Sequence, residues 1–180
     1  MVQIDSDFWK TELFPILDEI TRLSTFRRFD TTIANALERH IMFAMFSVRT
    51  LIERNRISQE LLAKKIELRV YPKRSLKPVT WLNNHDIDEL FDLNAPKPKQ
   101  LMLKDLCNQI IHSYILIPLE DGRKFTDILV CSDRLRNEWL YVIPLARLVE
   151  LIRDVAFDYP SRMHITFNAK RRDYDIRTYK

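Results

Sequence analysis

Gly122 is the only glycine among the 180 residues of this chain, and this scarcity restricts the sites and folds open to the sequence. Average usage would give a chain of this length roughly twelve glycines. Glycine-rich phosphate loops, dinucleotide-binding fingerprints and the nucleophile elbow of serine hydrolases all need glycines at close spacing. The sequence therefore excludes these classes of site, and it disfavours β-sandwiches and barrels with many tight turns.

The remaining composition indicates one soluble globular domain. Hydrophobic residues make up 46% and charged residues 30% of the 21.6 kDa chain. The longest uncharged apolar run, residues 41–48, is too short for a membrane span, and the N-terminus is acidic where a signal peptide would be basic. Cys107 and Cys131 lack metal-type spacing and are interpreted as free thiols. We therefore expect a cytoplasmic protein with no membrane contact and no cofactor.

Basic charge is concentrated at the C-terminal end of the chain. Residues 161–180 hold six lysines and arginines and two aspartates, which accounts for the whole net charge of +4. Such a segment binds polyanions through the release of counterions, or it keeps the protein soluble. We assign residues 161–180 to a basic C-terminal tail, with Lys170, Arg171 and Arg172 as candidate nucleic-acid-binding residues.

Apolar residues at helical spacing dominate the first seventy residues. An apolar face over residues 9–23 predicts a first helix, in which Pro15 should cause a kink or a break. Asp30 or Thr31 should cap a longer, central helix. Its apolar stripe consists of Ala34, Leu37, Ile41, Ala44, Met45, Val48, Leu51 and Ile52. A third helix is predicted over residues 58–68, with the serine at its start as the cap.

A weakly patterned connection follows the third predicted helix. Four prolines lie between residues 72 and 98, and they bracket one short candidate helix near residues 86–93. Asn84 or His85 could cap that helix. Long connections of this kind in compact domains are often functional or mobile.

The hydrophobic period changes after a further helix that begins near Leu103. The only glycine turn joins two runs rich in branched and aromatic residues, 114–119 and 125–131, which predicts a β-hairpin. Residues 139–143 could add a third strand. Pro144 is suited to the first position of a last amphipathic helix.

Together these elements predict a mainly α protein. We expect a helical bundle with a small antiparallel β-hairpin or three-stranded sheet inserted before the last helix. Residues 1–160 would form this single domain, and strands are expected only within residues 114–143.

One polar stripe on the helix before the hairpin is a candidate site. Lys104, Asn108 and His112 are spaced by four, and Asp105 lies three residues before Asn108, so the four side chains share one helix face. A histidine beside an amide and a lysine can donate and accept protons near neutral pH. We take Lys104, Asn108 and His112 as candidate catalytic residues, and a solvated helix face is the alternative. The four histidines show no paired ligand spacing, so no metal site is predicted.

The same segment resembles a known signature. Residues 107–112, Cys-Asn-Gln-Ile-Ile-His, are similar to the motif of the HEPN superfamily (higher eukaryote and prokaryote nucleotide-binding domain). That motif is an arginine, a polar residue that is often asparagine, three further residues and a histidine, on a late helix of an α-helical bundle. Asn108 and His112 match it, whereas Cys107 stands in the arginine position. Residues 40–53 also resemble the aromatic- and alanine-containing helix found early in that fold.

The resemblance implies an RNA partner and a homodimer. HEPN proteins are typically metal-independent ribonucleases that dimerise and place the arginine and the histidine in a shared cleft. Their histidine moves protons at the ribose 2′-hydroxyl and the leaving oxygen, while the arginine stabilises phosphate charge, as phosphoryl chemistry requires. Some members act in bacterial defence or toxin–antitoxin systems, where a protein partner is also expected.

Three functions follow from the resemblance and its departure at Cys107. A neutral cysteine cannot hold a phosphate as arginine does, so we expect a degenerate site in a binding or regulatory protein. The alternative is an active endoribonuclease that uses His112 with a substitute cation, either Lys104 or an arginine from elsewhere in the chain. The third is an interaction module with no site.

Overall fold

The computed structural model describes residues 6–180, which form seven helices and seven strands. The helices are α1 (Ser6–Thr11), α2 (Leu13–Leu23), α3 (Thr31–Glu53), α4 (Gln59–Leu62), α5 (Ile87–Leu90), α6 (Leu103–Ile111) and α7 (Leu145–Ala156). The strands are β1 (Ile66–Pro72), β2 (Lys97–Leu101), β3 (Ser113–Asp121), β4 (Lys124–Ser132), β5 (Trp139–Pro144), β6 (Arg162–Asn168) and β7 (Asp173–Tyr179).

Five strands form one antiparallel sheet in the order β2-β1-β5-β4-β3, and β6 pairs with β7 in a separate hairpin. One row of paired residues crosses the sheet from edge to edge. It consists of Lys97, Val70, Tyr141, Val130 and Leu116. Because successive side chains of a strand point to opposite faces, the members of this row share one face of the sheet.

Helices α2, α3, α6 and α7 cover that face of the sheet. Their apolar side chains form one core with alternate residues of the strands, among them Val70, Val130 and Tyr141. The intervening strand residues, such as Leu129 and Val142, belong to a second core on the opposite face. The alternation therefore gives the sheet two apolar faces, and both must be covered.

Residues 73–96, the long connection between β1 and β2, cover the second face. The buried residues of this second core are Val79, Ile87, Leu90 and Phe91 from the connection, and Ile115, Leu129, Cys131, Leu140 and Val142 from the sheet. The connection that the sequence shows as weakly patterned is thus a covering layer of the sheet.

The central helix α3 forms as predicted. The Asp30 carboxylate accepts a hydrogen bond from the Thr32 backbone N–H at 2.8 Å and caps the helix. Leu37 and Met45, on the predicted apolar stripe, are 0% and 1% exposed. The break expected at Pro15 instead lies at Glu12, between α1 and α2, because proline is tolerated in the first turn of a helix.

The helix predicted over residues 58–68 is wrong beyond its first turn. Ser58 does act as a cap, since its hydroxyl accepts a backbone hydrogen bond at 3.3 Å, but α4 is a single turn. The chain continues as β1, in which Ile66, Leu68 and Val70 are buried and the residues between them are exposed. This period of two is that of a strand with one face on the core.

The predicted helical bundle is also wrong. The described residues are 39% helix and 30% strand, and a five-stranded antiparallel sheet lies between the two cores. The hairpin β3–β4, strand β5 and helix α7 lie where the sequence places them, but β1, β2, β6 and β7 lie outside residues 114–143. The sequence did not predict β2 because prolines lie in and before it. An edge strand nevertheless tolerates a residue such as Pro98 that has no N–H.

Residues 161–180, assigned above to a tail, form the β6–β7 hairpin. Its base is attached to the domain, because the buried Thr178 hydroxyl donates a hydrogen bond to the Ile57 carbonyl at 2.7 Å. Farther along the hairpin, Met163, Ile165 and Phe167 are each more than half exposed.

Replacing Leu37 with alanine should lower the free energy of unfolding by about 2–5 kcal/mol, because this side chain is fully buried in the helix-side core. Chemical denaturation followed by circular dichroism measures the change. Leu76→Ala is the matched control, since Leu76 is fully exposed, and it should cost less than about 0.5 kcal/mol. An equally small loss for Leu37→Ala would show that α3 does not face the core.

Candidate functional site

A cleft of about 810 Å³ lies beside α6 and contains part of the predicted polar stripe. We call it the α6 cleft. It is bounded by α6, by residues 132–138 after β4, and by residues of β2 and β5. Its lining residues are Lys99, Leu101, Asp105, Asn108, Gln109, His112, Ser132, Asp133, Arg134, Leu135, Glu138 and Tyr141.

The two faces of α6 determine which of its residues reach the cleft. Leu103, Leu106, Cys107 and Ile110 are buried in the helix-side core, which leaves the polar face of the helix toward the cleft. The buried Gln109 side chain accepts a hydrogen bond from the Ser132 backbone N–H at 3.2 Å. This contact attaches α6 to the end of β4, and so sets α6 against the residues that follow β4.

Two of the three predicted catalytic residues line the α6 cleft. His112 lies at the C-cap of α6 with its side chain exposed, and Asn108 lies one turn earlier and is half-buried. Lys104 is exposed on the same helix but does not line the cleft. Of the four polar residues that share this helix face in the sequence, Asp105, Asn108 and His112 line the cleft and Lys104 does not.

Cys107 does not lie at the cleft surface. It is fully buried in the helix-side core, and burial raises the pKa of its thiol from an ordinary value of 9.0 to about 12, with the nearby Arg49 charge opposing the rise. The thiol is therefore neutral at physiological pH. The position that carries arginine in the motif this segment resembles thus faces the core in this protein.

Arg49 on α3 is a cation of this region that the sequence did not predict. Its guanidinium donates a hydrogen bond to the Asn108 side-chain oxygen and another to Glu53 Oε1 at 2.7 Å. Arg49 and Asn108 are 59 residues apart, so no local spacing could have revealed their contact. An arginine from another helix therefore contacts Asn108, the residue one helical turn before His112.

Lysines and aromatic rings meet at the β2 end of the cleft. The Lys99 ammonium lies 4.5 Å from the ring centroid of Trp139 and 5.8 Å from that of Tyr141, and Lys97 lies 5.7 Å from Trp139. Such distances are within the range of cation–π attraction. Trp139 is partly buried and lies beside the cleft rather than in its lining, and part of its side chain remains accessible.

Three carboxylates also line the cleft, so its charge is mixed. Asp133 forms a 3.2 Å ion pair with Arg136, whose guanidinium stacks 4.1 Å from the Tyr114 ring centroid. Burial raises the pKa of the Tyr141 hydroxyl, and the charges of Glu138 and Asp105 raise it further. Lys99 and Arg134 supply the opposing positive charge.

The predicted nucleic-acid-binding residues lie elsewhere. Lys170, Arg171 and Arg172 are exposed in the turn between β6 and β7, and none of them lines the α6 cleft. Arg171 pairs with Asp175, which offsets one of the three charges. The structure therefore brings together Asn108 and His112, and leaves the basic turn as a separate surface.

No protein-family model, curated protein or solved structure matches this chain. None of the helices within residues 6–180 combines the length and apolar character needed to cross a bilayer. In the same part of the chain, no three His, Cys, Asp or Glu side chains are grouped so that they could hold a metal ion. The function is therefore argued from the cleft itself.

Introducing arginine at position 107 should destabilise the protein rather than complete a site. Cys107→Arg would bury an unpaired charge in the helix-side core and should lower the free energy of unfolding by more than about 3 kcal/mol. Cys107→Ala, which removes the thiol without adding charge, is the control and should cost clearly less. Thermal or chemical denaturation measures both, and a folded Cys107→Arg variant of wild-type stability would mean that position 107 faces solvent.

Proposed function

We propose that this protein binds single-stranded RNA in the α6 cleft and acts as a binding or regulatory protein. The observation that carries the proposal is the cluster of cations and aromatic rings at the β2 side of the cleft, where Lys99 and Tyr141 line the cleft and Trp139 lies beside Lys99. Cations bind the phosphates of a single strand and aromatic faces stack with its bases, so this combination is the usual basis of single-strand recognition.

The cationic groups are positioned for a small number of phosphates. Lys99 lies in the cleft over the Trp139 ring, and Arg134 lines the same cleft from the loop after β4. Together they can neutralise about two phosphates, and the partly buried Trp139 ring beside Lys99 offers a stacking surface.

The carboxylates of the cleft favour RNA over a simple polyanion. Asp105, Asp133 and Glu138 would repel a ligand that carried only negative charge. A nucleotide also carries hydrogen-bond donors, namely the ribose 2′-hydroxyl and the amino groups of its bases, which carboxylates and amides accept. The mixed charge therefore supports binding of a nucleotide strand through its sugars and bases as well as its phosphates.

The surroundings of His112 support binding rather than catalysis. A catalytic imidazole is normally held in one orientation by a hydrogen-bond partner, and no described residue donates to or accepts from the His112 ring. Arg49, whose guanidinium contacts the Asn108 side chain one turn before His112, also binds Glu53. The Glu53 carboxylate therefore already neutralises part of the Arg49 charge in the absence of a phosphate.

Metal-independent RNA cleavage at His112 is the second candidate function. The contact between Arg49 and Asn108 supports it, because it brings a guanidinium to the residue one turn before His112. In this alternative His112 would transfer the proton of the 2′-hydroxyl, and Arg49 would stabilise charge on the phosphate after leaving Glu53.

Removing the two cleft cations together should weaken RNA binding. Lys99→Gln with Arg134→Gln should raise the Kd for a single-stranded oligoribonucleotide about tenfold or more, because both phosphate contacts are lost. For the wild type, the logarithm of the association constant should fall with log salt concentration with a slope of about −1.4, as expected for two phosphates on a single strand. Fluorescence anisotropy at several salt concentrations measures both quantities.

Two controls accompany this measurement. Lys104→Gln removes an exposed cation of α6 outside the cleft and should leave the Kd unchanged. The triple change Lys170→Gln, Arg171→Gln and Arg172→Gln should also have little effect, and a loss of binding confined to this variant would transfer the RNA site to the hairpin turn. The bound RNA should stay intact in chelator, whereas cleavage that disappears in His112→Ala would favour the ribonuclease.

We also propose that the chain forms a homodimer through the outer face of α3. Phe43 and Phe46 lie on that face and are 56% and 58% exposed. Large apolar side chains that remain this exposed on a regular helix are typical of contact surfaces. Arg49 lies one turn after Phe46, so a partner on this face would approach the contact between Arg49 and Asn108.

Light scattering after gel filtration should give twice the 21.6 kDa mass of the chain for the wild type at micromolar concentration. Phe46→Glu should give the monomer mass, because it places a charge in the proposed interface. Phe167→Glu on β6 is the matched control, since Phe167 is equally exposed at 56% but lies on the hairpin. A monomeric wild type, or a dimer that only Phe167→Glu dissociates, would contradict the α3 interface.

A further inference from the structure

A second cavity, of about 130 Å³, lies where α1, the segment after α3 and the base of the β6–β7 hairpin meet. It shares no lining residue with the α6 cleft, so inferences about it are independent of the function proposed above. Three cations line it: Lys10 from α1, Arg56 from the segment after α3, and Arg162 at the start of β6. Asn55, Tyr159 and Ser161 add uncharged polar groups.

Arg56, which lines this cavity, carries a buried donor without a partner. Its Nε is the one buried side-chain nitrogen or oxygen within residues 7–180 that has no hydrogen-bond partner. Leaving a charged donor buried and unpaired is costly, and such atoms in folded proteins commonly mark a ligand or ion site.

The backbone around Arg56 is held in place by the end of α3. Asn55 adopts a left-handed conformation with φ of 54°, and the Arg56 N–H donates to the Leu51 carbonyl at 2.9 Å. This is the usual way for a helix to end at an asparagine. The position of Arg56 is therefore fixed by local structure, independently of any contact made by its side chain.

Lys10 is the second cation, and it is buried to 1% exposure. Its ammonium donates to the Asp158 backbone carbonyl and lies 4.4 Å from the Tyr159 ring centroid. Burial lowers the pKa of Lys10, the Asp158 and Asp7 carboxylates oppose this, and the Arg56 and Lys180 charges add to the lowering. Lys10 is thus a buried ammonium whose surroundings include two further cations.

The neighbouring Asp158 carboxylate is already occupied by other partners. It accepts hydrogen bonds from the Ser58 N–H at 2.6 Å and the Ser58 hydroxyl at 2.8 Å, and it forms a 3.2 Å ion pair with Lys180. Counting Asp7 and Asp158 against Lys10, Arg56, Arg162 and Lys180, the cations around the cavity outnumber the carboxylates. An anion is therefore the ligand whose charge matches this cavity.

We propose that this cavity binds a phosphate group, either as inorganic phosphate or as the phosphate of a small monoester. Arg56 and Arg162 supply planar guanidinium donors that suit phosphate oxygens, Lys10 supplies a point charge, and Ser161 and Asn55 supply further hydrogen-bonding groups. The volume suits one phosphate group, since sites for whole nucleotides and drug-sized ligands are several times larger, about 300–1,000 Å³.

Bound phosphate would connect three separate parts of the chain. Lys10 lies on α1, Arg56 follows α3, and Arg162 begins β6, where its guanidinium also donates to the Lys180 main-chain oxygen at 3.0 and 2.6 Å. A ligand that binds only the folded state stabilises it in proportion to its concentration over its Kd. Phosphate should therefore stabilise the packing of the hairpin base against α1 and the end of α3.

Isothermal titration of the full chain with inorganic phosphate, at constant ionic strength set by chloride, tests the site. We expect one saturable site per chain. Arg56→Gln should raise the Kd about tenfold or more, because it removes one of the two guanidinium groups that line the cavity. Arg54→Gln is the matched control, since Arg54 lies two residues earlier, is exposed and does not line the cavity, and its Kd should equal that of the wild type.

Further variants keep the test decisive if Arg56→Gln does not fold. Arg162→Gln changes an exposed side chain at the mouth of the cavity and should also raise the Kd. Changing Lys170, Arg171 and Arg172 to glutamine should leave phosphate binding unaltered. Absence of saturable binding up to about 10 mM phosphate, an unchanged Kd in Arg162→Gln, or loss of binding only in the triple variant would each overturn the proposal.

A parallel titration with glycerol phosphate distinguishes the two sources of the phosphate group. Tighter binding of the monoester would identify a small phosphorylated metabolite as the ligand class. Tighter binding of inorganic phosphate would identify the free ion, because the small cavity would then exclude the ester substituent. Failure of both ligands to bind would overturn the site without bearing on RNA binding in the α6 cleft, since the two cavities share no residue.

Discussion

The burial of the antiparallel sheet on both faces is the constraint on which the rest of this fold depends. In β4 the five consecutive residues from 128 to 132 are all buried, and Leu140, Tyr141, Val142 and Ile143 of β5 are buried likewise. Such strands carry apolar side chains on both faces of the sheet, so a layer of the protein must cover each face. The helices supply one layer, and residues 73–96 supply the other even though only one short helix forms within them.

The position of the α6 cleft is a consequence of this arrangement. The helix α6 connects β2 at one edge of the sheet to β3 at the other, and it packs across the helix-side face on its way. The contact between Gln109 and Ser132 brings its polar face against the residues after β4, while Lys99 approaches from β2. Side chains of α6, β2, β5 and the residues after β4 therefore line one cleft, because the sheet and the helix packed across it hold these segments together.

The sequence predicted the elements that rest on local signals and missed those that rest on tertiary context. The Asp30 cap, the stripe of α3 and the turn at Gly122, with its φ of +64°, are all local, and the structure contains each of them. The five-stranded sheet forms with a single glycine because its strands, apart from β3 and β4, are joined by connections of six residues or more. Only β3 and β4 use a glycine turn, and Arg172 supplies the left-handed residue between β6 and β7. Helical spacing predicted that Asn108 and His112 share a helix face, whereas only the fold brings Arg49 into contact with Asn108 and Lys99 into the lining of the same cleft.

Photo-crosslinking of a single-stranded oligoribonucleotide to the full chain, followed by mapping of the crosslinked tryptic peptides, tests RNA binding in the α6 cleft most directly. We expect crosslinks in the peptide of residues 137–147, which contains Trp139 beside Lys99. Aromatic side chains that stack on bases are efficient crosslinking partners because they lie in direct contact with them. Crosslinks confined to peptides within residues 161–180 would contradict this assignment and place RNA on the β6–β7 hairpin instead.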